Sequence, residues 1–432
     1  MFQLQDYQWL DSREARQLWD TLSVEPPVSS ASALARLRSK LTVEQAGILM
    51  EQLELLTVSR RKVAEPRMWF WTRQLLEQSS DEATASESAL DFPPTTKVYD
   101  LCCGAGADSI ALGKRKLFVQ ASDKCPIAAQ LTRLNCRSHG LPIQVAEGAA
   151  EAIEIEKDHY IHIDPDRRSD GKRTTGLEWM SPAWPTVRQM LDKCLGMSLK
   201  LSPGMRMDRE SLNLQSELSP ESIRFLSKDG SVRQQRWYWG IERWPRGTVV
   251  ASMFMNAPAL IRSQRYVASH GGVATPNAFA NQGWFHESFL SSAIGARDLS
   301  QGSVVHVVKS YIADYDPSIR AGELAPQFAM RHGWQLIGSA SGYLTSDMGS
   351  VHPMVRWFQV IENLPLDRKQ LKAFSRSAKA HSWELKSRGI DIDLESLRKV
   401  LHTDATCNLK LTILFTKVGQ NHRAIVGREV EC

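Results

Sequence analysis

The chain has no apolar run long enough for a helix to cross a bilayer, so no membrane span is expected. Its first residues, MFQLQDYQWLDSREARQ, carry early acids and no apolar signal core, which argues against export. Cysteine is sparse and irregular: seven residues, Cys102, Cys103, Cys125, Cys136, Cys194, Cys407 and Cys432, with no C-x-x-C pair. That pattern argues against a zinc site or a disulfide framework, so no metal is expected and a reducing cytoplasm fits best. No internal repeat is present, and neither sign of charge dominates. The net charge of +5 permits a polyanionic partner without requiring one. Tryptophan, by contrast, is abundant at thirteen residues, several of them beside arginine. At 432 residues the chain exceeds one ordinary core, and two or three domains are expected.

Residues 1–94 read as a helical domain. Thr42-Val43-Glu44-Gln45 is a capping-box pattern, followed by Ala46, Leu49, Leu53 and Leu56 on one helical face. Arg60-Arg61-Lys62 and the aromatic run Trp69-Phe70-Trp71 read as a helix face packed on the next domain. From Lys97 short strands alternate with helices. Strands are predicted at 98–102, 117–122, 143–146, 160–164 and 198–202, and helices at 107–112, 126–139 and 186–195. This is the pattern of a parallel sheet covered on both faces, an α/β fold. Segments 223–226, 232–239 and 248–254, with a turn at Gly230, read as antiparallel strands closing the sheet. A domain boundary is placed at 265. Residues 266–350 form a linking segment, with a ferredoxin-like fold as one option and a strand at 304–310. Residues 351–432 form a small α/β domain: strands at 357–361 and 382–386, a helix at 367–378, a second helix capped by Asp393, and a terminal hairpin.

The segment Asp100-Leu101-Cys102-Cys103-Gly104-Ala105-Gly106 ends the first predicted strand and opens a helix. Its glycines let backbone approach a ligand closely, and a helix N-terminus offers free N–H groups. An acid ahead of the turn suits an amino-acid ammonium group, not a phosphate. Ser109 stands where a dinucleotide fingerprint has its third glycine. Asp123 ends the second strand, where a carboxylate can hold both ribose hydroxyls. Together these favour S-adenosylmethionine over NAD.

On these motifs residues 97–205 resemble a class I S-adenosylmethionine-dependent methyltransferase with a Rossmann-like fold. The resemblance implies cofactor contacts from Asp100, Cys102, Gly104, Ala105, Gly106 and Asp123, with Glu147 in place of the usual acid near the adenine. In Ile163-Asp164-Pro165-Asp166-Arg167-Arg168, Asp164 and Pro165 fit the Asn/Asp-Pro-Pro motif of amino-methylating members. The first side chain and a proline carbonyl accept N–H bonds from the target amine. No aromatic residue follows, so Asp166, Arg167 and Arg168 become the candidate substrate contacts, a guanidinium standing in as the stacking plane. Methyl transfer to nitrogen needs chiefly in-line positioning. C5-pyrimidine chemistry would need a cysteine nucleophile, and none is evident near Asp164. Asp164 and Asp166 as hard metal ligands would lack a third partner.

The chain also resembles a narrower bacterial group with a C-terminal THUMP-like domain. The matching segments are Tyr315-Asp316-Pro317-Ser318-Ile319-Arg320-Ala321-Gly322, Tyr343-Leu344-Thr345-Ser346-Asp347 and Lys386-Ser387-Arg388-Gly389-Ile390-Asp391-Ile392-Asp393. By analogy this implies RNA modification, with tRNA or rRNA as substrate. Arg167, Arg168, Lys172 and Arg173 form a basic cluster beside the reaction motif. Arg233, Arg236, Trp237, Tyr238, Trp239, Arg243 and Trp244 interleave base and ring, as an RNA surface or as sheet core. Lys386 and Arg388 read equally as phosphate ligands or helix-approach residues. Three functional readings follow: N-methylation of a base in structured RNA, methylation of a protein or small molecule, or an inactive RNA-binding protein retaining the fold.

Overall fold

A computed structural model describes residues 2–24, 34–35, 37–166, 168–169, 172–173, 177–205, 219–256, 259–260, 262, 283–290, 304–339 and 342–430. The chain forms two compact units, one of Met1–Glu221 and Arg236–Arg246, the other of Ser222–Gln235 and Gly247–Cys432.

In the first unit the N-terminal helices begin where side chains can satisfy free amides. Ser12 Oγ accepts the Ala15 N–H at 3.1 Å ahead of helix Arg13–Leu22. Thr42 and Gln45 form the expected reciprocal box at the start of helix Val43–Ser59. Tyr7, Trp19, Leu49, Leu53 and Leu56 pack with Phe70 and with Leu131 and Leu134 of helix Pro126–Ser138. The aromatic run is not a helix face: Trp69, Phe70 and Trp71 are extended and buried. Their side chains alternate with period two, as extended backbone requires. Trp69 and Trp71 stack at 5.0 Å, while Phe70 turns away to meet Trp19 at 5.1 Å. Two side-chain amides hold this stretch. Gln52 exchanges 2.8 Å bonds with both backbone groups of Trp71, and Asn135 does the same for Phe70 at 2.7 and 3.0 Å. Of the basic triplet, Lys62 donates to the carbonyls of Leu76, Glu77 and Ser79, capping the end of helix Arg73–Gln78.

The sheet of this unit uses β1 (Lys97–Leu101), β2 (Phe118–Asp123), β3 (Gln144–Glu147), β4 (His159–Ile163) and, after the short hairpin β5 (Arg168–Ser169) and β6 (Lys172–Arg173), β7 (Gly196–Leu201). They lie in the order β7-β4-β1-β2-β3 and are all parallel. Helices Ala107–Lys114, Pro126–Ser138 and Trp184–Leu191 alternate with them, as predicted. The chain winds from β1 outward to β3, then returns to β4 on the other side. The direction therefore reverses between β1 and β4, where open α/β sheets bind ligands.

In the second unit β8 (Ser222–Lys228) turns at Asp229 and Gly230, both with positive φ, into β9 (Ser231–Trp239), which runs on into the first unit. β10 (Thr248–Phe254) pairs with β11 (Trp284–Leu290) antiparallel but with β8 parallel. The expected all-antiparallel closure is thus corrected: a strand that reverses again after a hairpin regains the direction of the hairpin's first strand, its neighbour here. The remaining strands are β12 (Val304–Val305), β13 (Tyr311–Tyr315), β14 (Gln335–Ile337), β15 (Leu344–Ser346), β16 (Val355–Pro365), β17 (Ser382–Ser387), β18 (Lys410–Val418) and β19 (Asn421–Glu429). They form one sheet in the order β12-β14-β15-β13-β16-β19-β18-β17. The strand expected over 304–310 shortens to Val304–Val305; Val307 beyond it is 67% exposed, while Val308 packs against the core that holds Ile312 of β13. Asp393 caps helix Leu394–Arg398 as expected, through the Ser396 N–H at 3.0 Å. The helix stops before Leu401, which still packs on the core of Leu371, Trp383, Leu397, Ile413 and Phe415.

Candidate active site

The turn after β1 is built from left-handed residues. Cys102, Gly104 and Gly106 have φ of +61°, +60° and +85°. Gly106 is the N-cap of helix Ala107–Lys114, and a Cβ there would lie 2.9 Å from Thr132 Cγ2. Thr132 Oγ1 donates to the Gly104 carbonyl at 2.8 Å, and Asn135 Nδ2 to the Ala105 carbonyl at 2.9 Å. Helix Pro126–Ser138 therefore fixes the shape of the turn.

The sequence-derived acids gather at one edge of the sheet. Asp123 accepts the Gly104 N–H at 2.9 Å and the Cys125 N–H at 2.8 Å. Burial raises its carboxyl above the usual range against the pull of these two amides. Glu147 is its register partner on β3 and is exposed. The Asp164 N–H bonds the Leu101 carbonyl at 3.2 Å, which sets Asp164 beside the turn, followed by buried Pro165 and exposed Asp166. Asp166 exchanges backbone bonds with Ser181 at 3.0 and 2.8 Å. Arg167 lies outside the described residues; Arg168 is described only as backbone of β5, as Lys172 and Arg173 are of β6.

Asp100 stands in β1 just before the glycine turn, as expected, and is buried. It is 1% exposed, accepts from Ser109 Oγ through one oxygen, and meets His162 Nδ1 through the other at 3.0 Å. Its carboxylate braces the turn from below. A correction concerns cysteine, since Cys102 does lie near Asp164. Burial, with Asp123, Asp164 and Asp100 around it, pushes the Cys102 thiol far above its usual range, which does not suit a thiolate nucleophile.

A buried polar network that sequence reasoning missed lies behind these residues. Lys200 on β7 donates to Asp164 Oδ2 at 2.6 Å and to Ser80 Oγ at 2.9 Å. Ser80 in turn donates to Asp108 Oδ2 at 3.0 Å. Asp108 also pairs with Arg236 at 3.1 Å, and His162 Nε2 faces it at 3.7 Å. Burial opposes the charge on Asp108, but Lys200, His162 and Arg236 hold its carboxyl well below the usual range. The available signal was a lysine inside Met197-Ser198-Leu199-Lys200-Leu201, a strand buried at every position. A charge there must find a counter-charge.

Most of the base-and-ring segment is interior, although Arg233 is exposed and Trp239 and Arg243 are half-buried. Trp237, Tyr238 and Trp244 are buried, and Arg236 is 0% exposed. Asp91 accepts from Tyr238 Oη at 2.7 Å, Trp244 Nε1 at 3.1 Å and Arg243 Nη1 at 3.2 Å. Trp184 packs on Trp237 and Trp239, whereas Trp179 is 52% exposed. In the second unit Lys386 and Arg388 both pair with Asp314, at 2.7 and 2.6 Å, so their role in the fold is structural.

Glu287, His332 and His352 also converge in the second unit, with Glu287 Oε1 at 3.1 and 2.8 Å from the two Nε2 atoms. His352 Nδ1 accepts the Met354 N–H at 3.1 Å, so the hydrogen-bond network assigns its proton to Nε2. A metal at that nitrogen would need the lone pair which the proton occupies. The trio is a hydrogen-bonded cluster.

Comparison with known proteins agrees with this architecture. Residues 355–429 match the family model described as THUMP domain-like. Uncharacterized S-adenosylmethionine-dependent methyltransferases from two strains of Mycobacterium tuberculosis are 24% identical over 357 residues, covering 81% of this chain and 85% of theirs. A crystal structure of a candidate methyltransferase from Porphyromonas gingivalis W83 superposes with a TM-score of 0.68 at 18% identity, over 96% of this chain and 98% of that one. The fold is thus shared along nearly the whole length.

Proposed function

We propose that this protein, an S-adenosylmethionine-dependent methyltransferase with a C-terminal THUMP-like domain, N-methylates a base in structured RNA, tRNA or rRNA. The observation that carries the reading is that the glycine turn and Asp164 border the reversal point between β1 and β4, with Asp123 and Glu147 at the ends of β2 and β3 along the same edge of the sheet. The residues fit the cofactor. Gly104 and Gly106 supply the positive φ of the turn, Asp123 is the proposed ribose contact and its register partner Glu147 the proposed contact near the adenine. Asp100 contributes by bracing the turn through Ser109 and His162.

When bound, S-adenosylmethionine supplies an activated methyl group. This chain then has to place a nitrogen in line with it. Asp164 accepts an N–H of the amine, which orients the lone pair, and the Pro165 carbonyl is the second acceptor. The THUMP-like match supports RNA as the substrate class, because THUMP domains proper occur in enzymes that modify structured RNA. Asp166, Arg167 and Arg168 are the proposed substrate contacts, with the exposed ring of Trp179 as a further stacking surface.

Asp123→Ala is expected to weaken S-adenosylmethionine binding in calorimetric titration. Asp164→Ala should instead lower tritium-methyl transfer onto total RNA while leaving cofactor affinity nearly unchanged. Normal turnover by Asp164→Ala would show that the reaction site is elsewhere.

A further inference from the structure

We propose that Lys200 is a positioning residue that sets the substrate class of the Asp164 site: it cancels the Asp164 charge and fits the site to a neutral nitrogen, not to a cationic amine. This rests on the reading of Asp164 given above. Lys200 is 7% exposed, within a strand whose every residue is buried. Its ammonium has three oxygen neighbours, Asp164 at 2.6 Å, Ser80 at 2.9 Å and Asp108 at 3.6 Å. Hydrogen bonds to Asp164 and Ser80 and the ion pair with Asp108 hold the ammonium in place. Arg236 supplies Asp108 with a second counter-charge. Burial works against the charge on Lys200, but Asp164 and Asp108 hold it above its ordinary range, so it stays cationic wherever the enzyme would work.

This arrangement separates two kinds of substrate. A protonated lysine or arginine side chain approaching Asp164 would meet a carboxylate already neutralised at 2.6 Å. It would also bring its charge toward the Lys200 ammonium and the sulfonium of the cofactor, a like-charge approach. Such an amine also lacks the lone pair the reaction needs until it has lost a proton. The exocyclic amine of a nucleobase meets neither obstacle. It donates one N–H to Asp164 and keeps its lone pair. That pair forms the N–C bond as the C–S bond breaks, the C–S electrons stay on sulfur, and the surplus proton leaves the methylated nitrogen for water.

The test uses the full-length protein with S-adenosylhomocysteine in saturation-transfer NMR. The neutral probes are adenosine, guanosine and cytidine; the cationic probes are Nα-acetyl-lysine methylamide and its arginine counterpart. Wild type is expected to take up a nucleoside and exclude the cations. Lys200→Met should raise cation uptake about tenfold, and Lys200→Arg should restore exclusion. A wild-type protein that binds the cations, or binds neither class at millimolar concentration, overturns the proposal, and so does an unchanged preference in a folded Lys200→Met. The wild-type comparison decides the matter even where Lys200→Met does not fold. Tritium transfer by Asp164→Asn keeps the two ideas apart. Normal transfer sinks the reading of Asp164, whereas impaired transfer with cation uptake by wild type sinks the role of Lys200 alone.

Discussion

Replacing Asn135 with leucine removes three hydrogen bonds in one step. Asn135 Oδ1 accepts the Phe70 N–H at 2.7 Å, and Nδ2 donates to the Phe70 and Ala105 carbonyls at 3.0 and 2.9 Å. Phe70 and Ala105 are each 2% exposed, so water cannot take over these backbone groups. Each buried group left without a partner costs about 1–3 kcal/mol. Leucine keeps asparagine's branched skeleton but is bulkier, so no cavity is left and any overpacking adds to the loss. Allowing for partial relaxation, the loss should be about 3–5 kcal/mol. It would be read from the urea midpoint of the first unit at unchanged slope. Because the Ala105 carbonyl belongs to the glycine turn, S-adenosylmethionine affinity should fall as well. Asn135→Asp keeps the acceptor but sets a carboxylate oxygen against two carbonyls. Its folded-state pKa would rise above the unfolded value of about 3.9, so its stability should fall as pH rises through that raised pKa. A leucine variant less than about 1 kcal/mol below wild type would refute the argument, since it would mean that these amide bonds do not hold the aromatic run to the turn.

Gly106→Ala should destabilise more than Gly104→Ala in thermal unfolding. Both require positive φ, but only at Gly106 does a Cβ meet a side chain at 2.9 Å; at Gly104 the nearest atom is 3.8 Å away. Asp91→Ala should cost about 3–5 kcal/mol in the same measurement, because it strips the buried Tyr238 and Trp244 and the half-buried Arg243 of a shared acceptor. In the second unit Arg356 bonds hold the Glu384 carboxyl down at about 2. A depressed acid contributes stability that is fully present above its unfolded pKa and is lost as pH falls through its folded one. Glu384→Gln should therefore flatten the acid side of the stability profile of this unit between roughly pH 4.5 and pH 2. An unaltered profile would place the acid sensitivity in other groups.

Local chemistry and periodicity, both written along the chain, determined much of this protein. The Thr42 box, the Asp393 cap, the Gly230 turn and the strand–helix alternation from Lys97 all depend on neighbours within a few residues, and all are present. The gathering of Asp123, Glu147 and Asp164 at one edge was legible for a related reason. Each stands at a strand end, and parallel strands joined by helices present those ends together. Only the tertiary structure decided which polar residues face each other across the sheet. Ser80, Asp108, His162, Lys200 and Arg236 come from elements far apart in sequence and meet as one buried network. The same network explains why Arg236 is core and why Asp100, through His162, supports the turn from beneath. A buried lysine in sequence announces that a counter-charge must exist. Which carboxylate supplies it depends on strand order, and strand order is a property of the folded sheet.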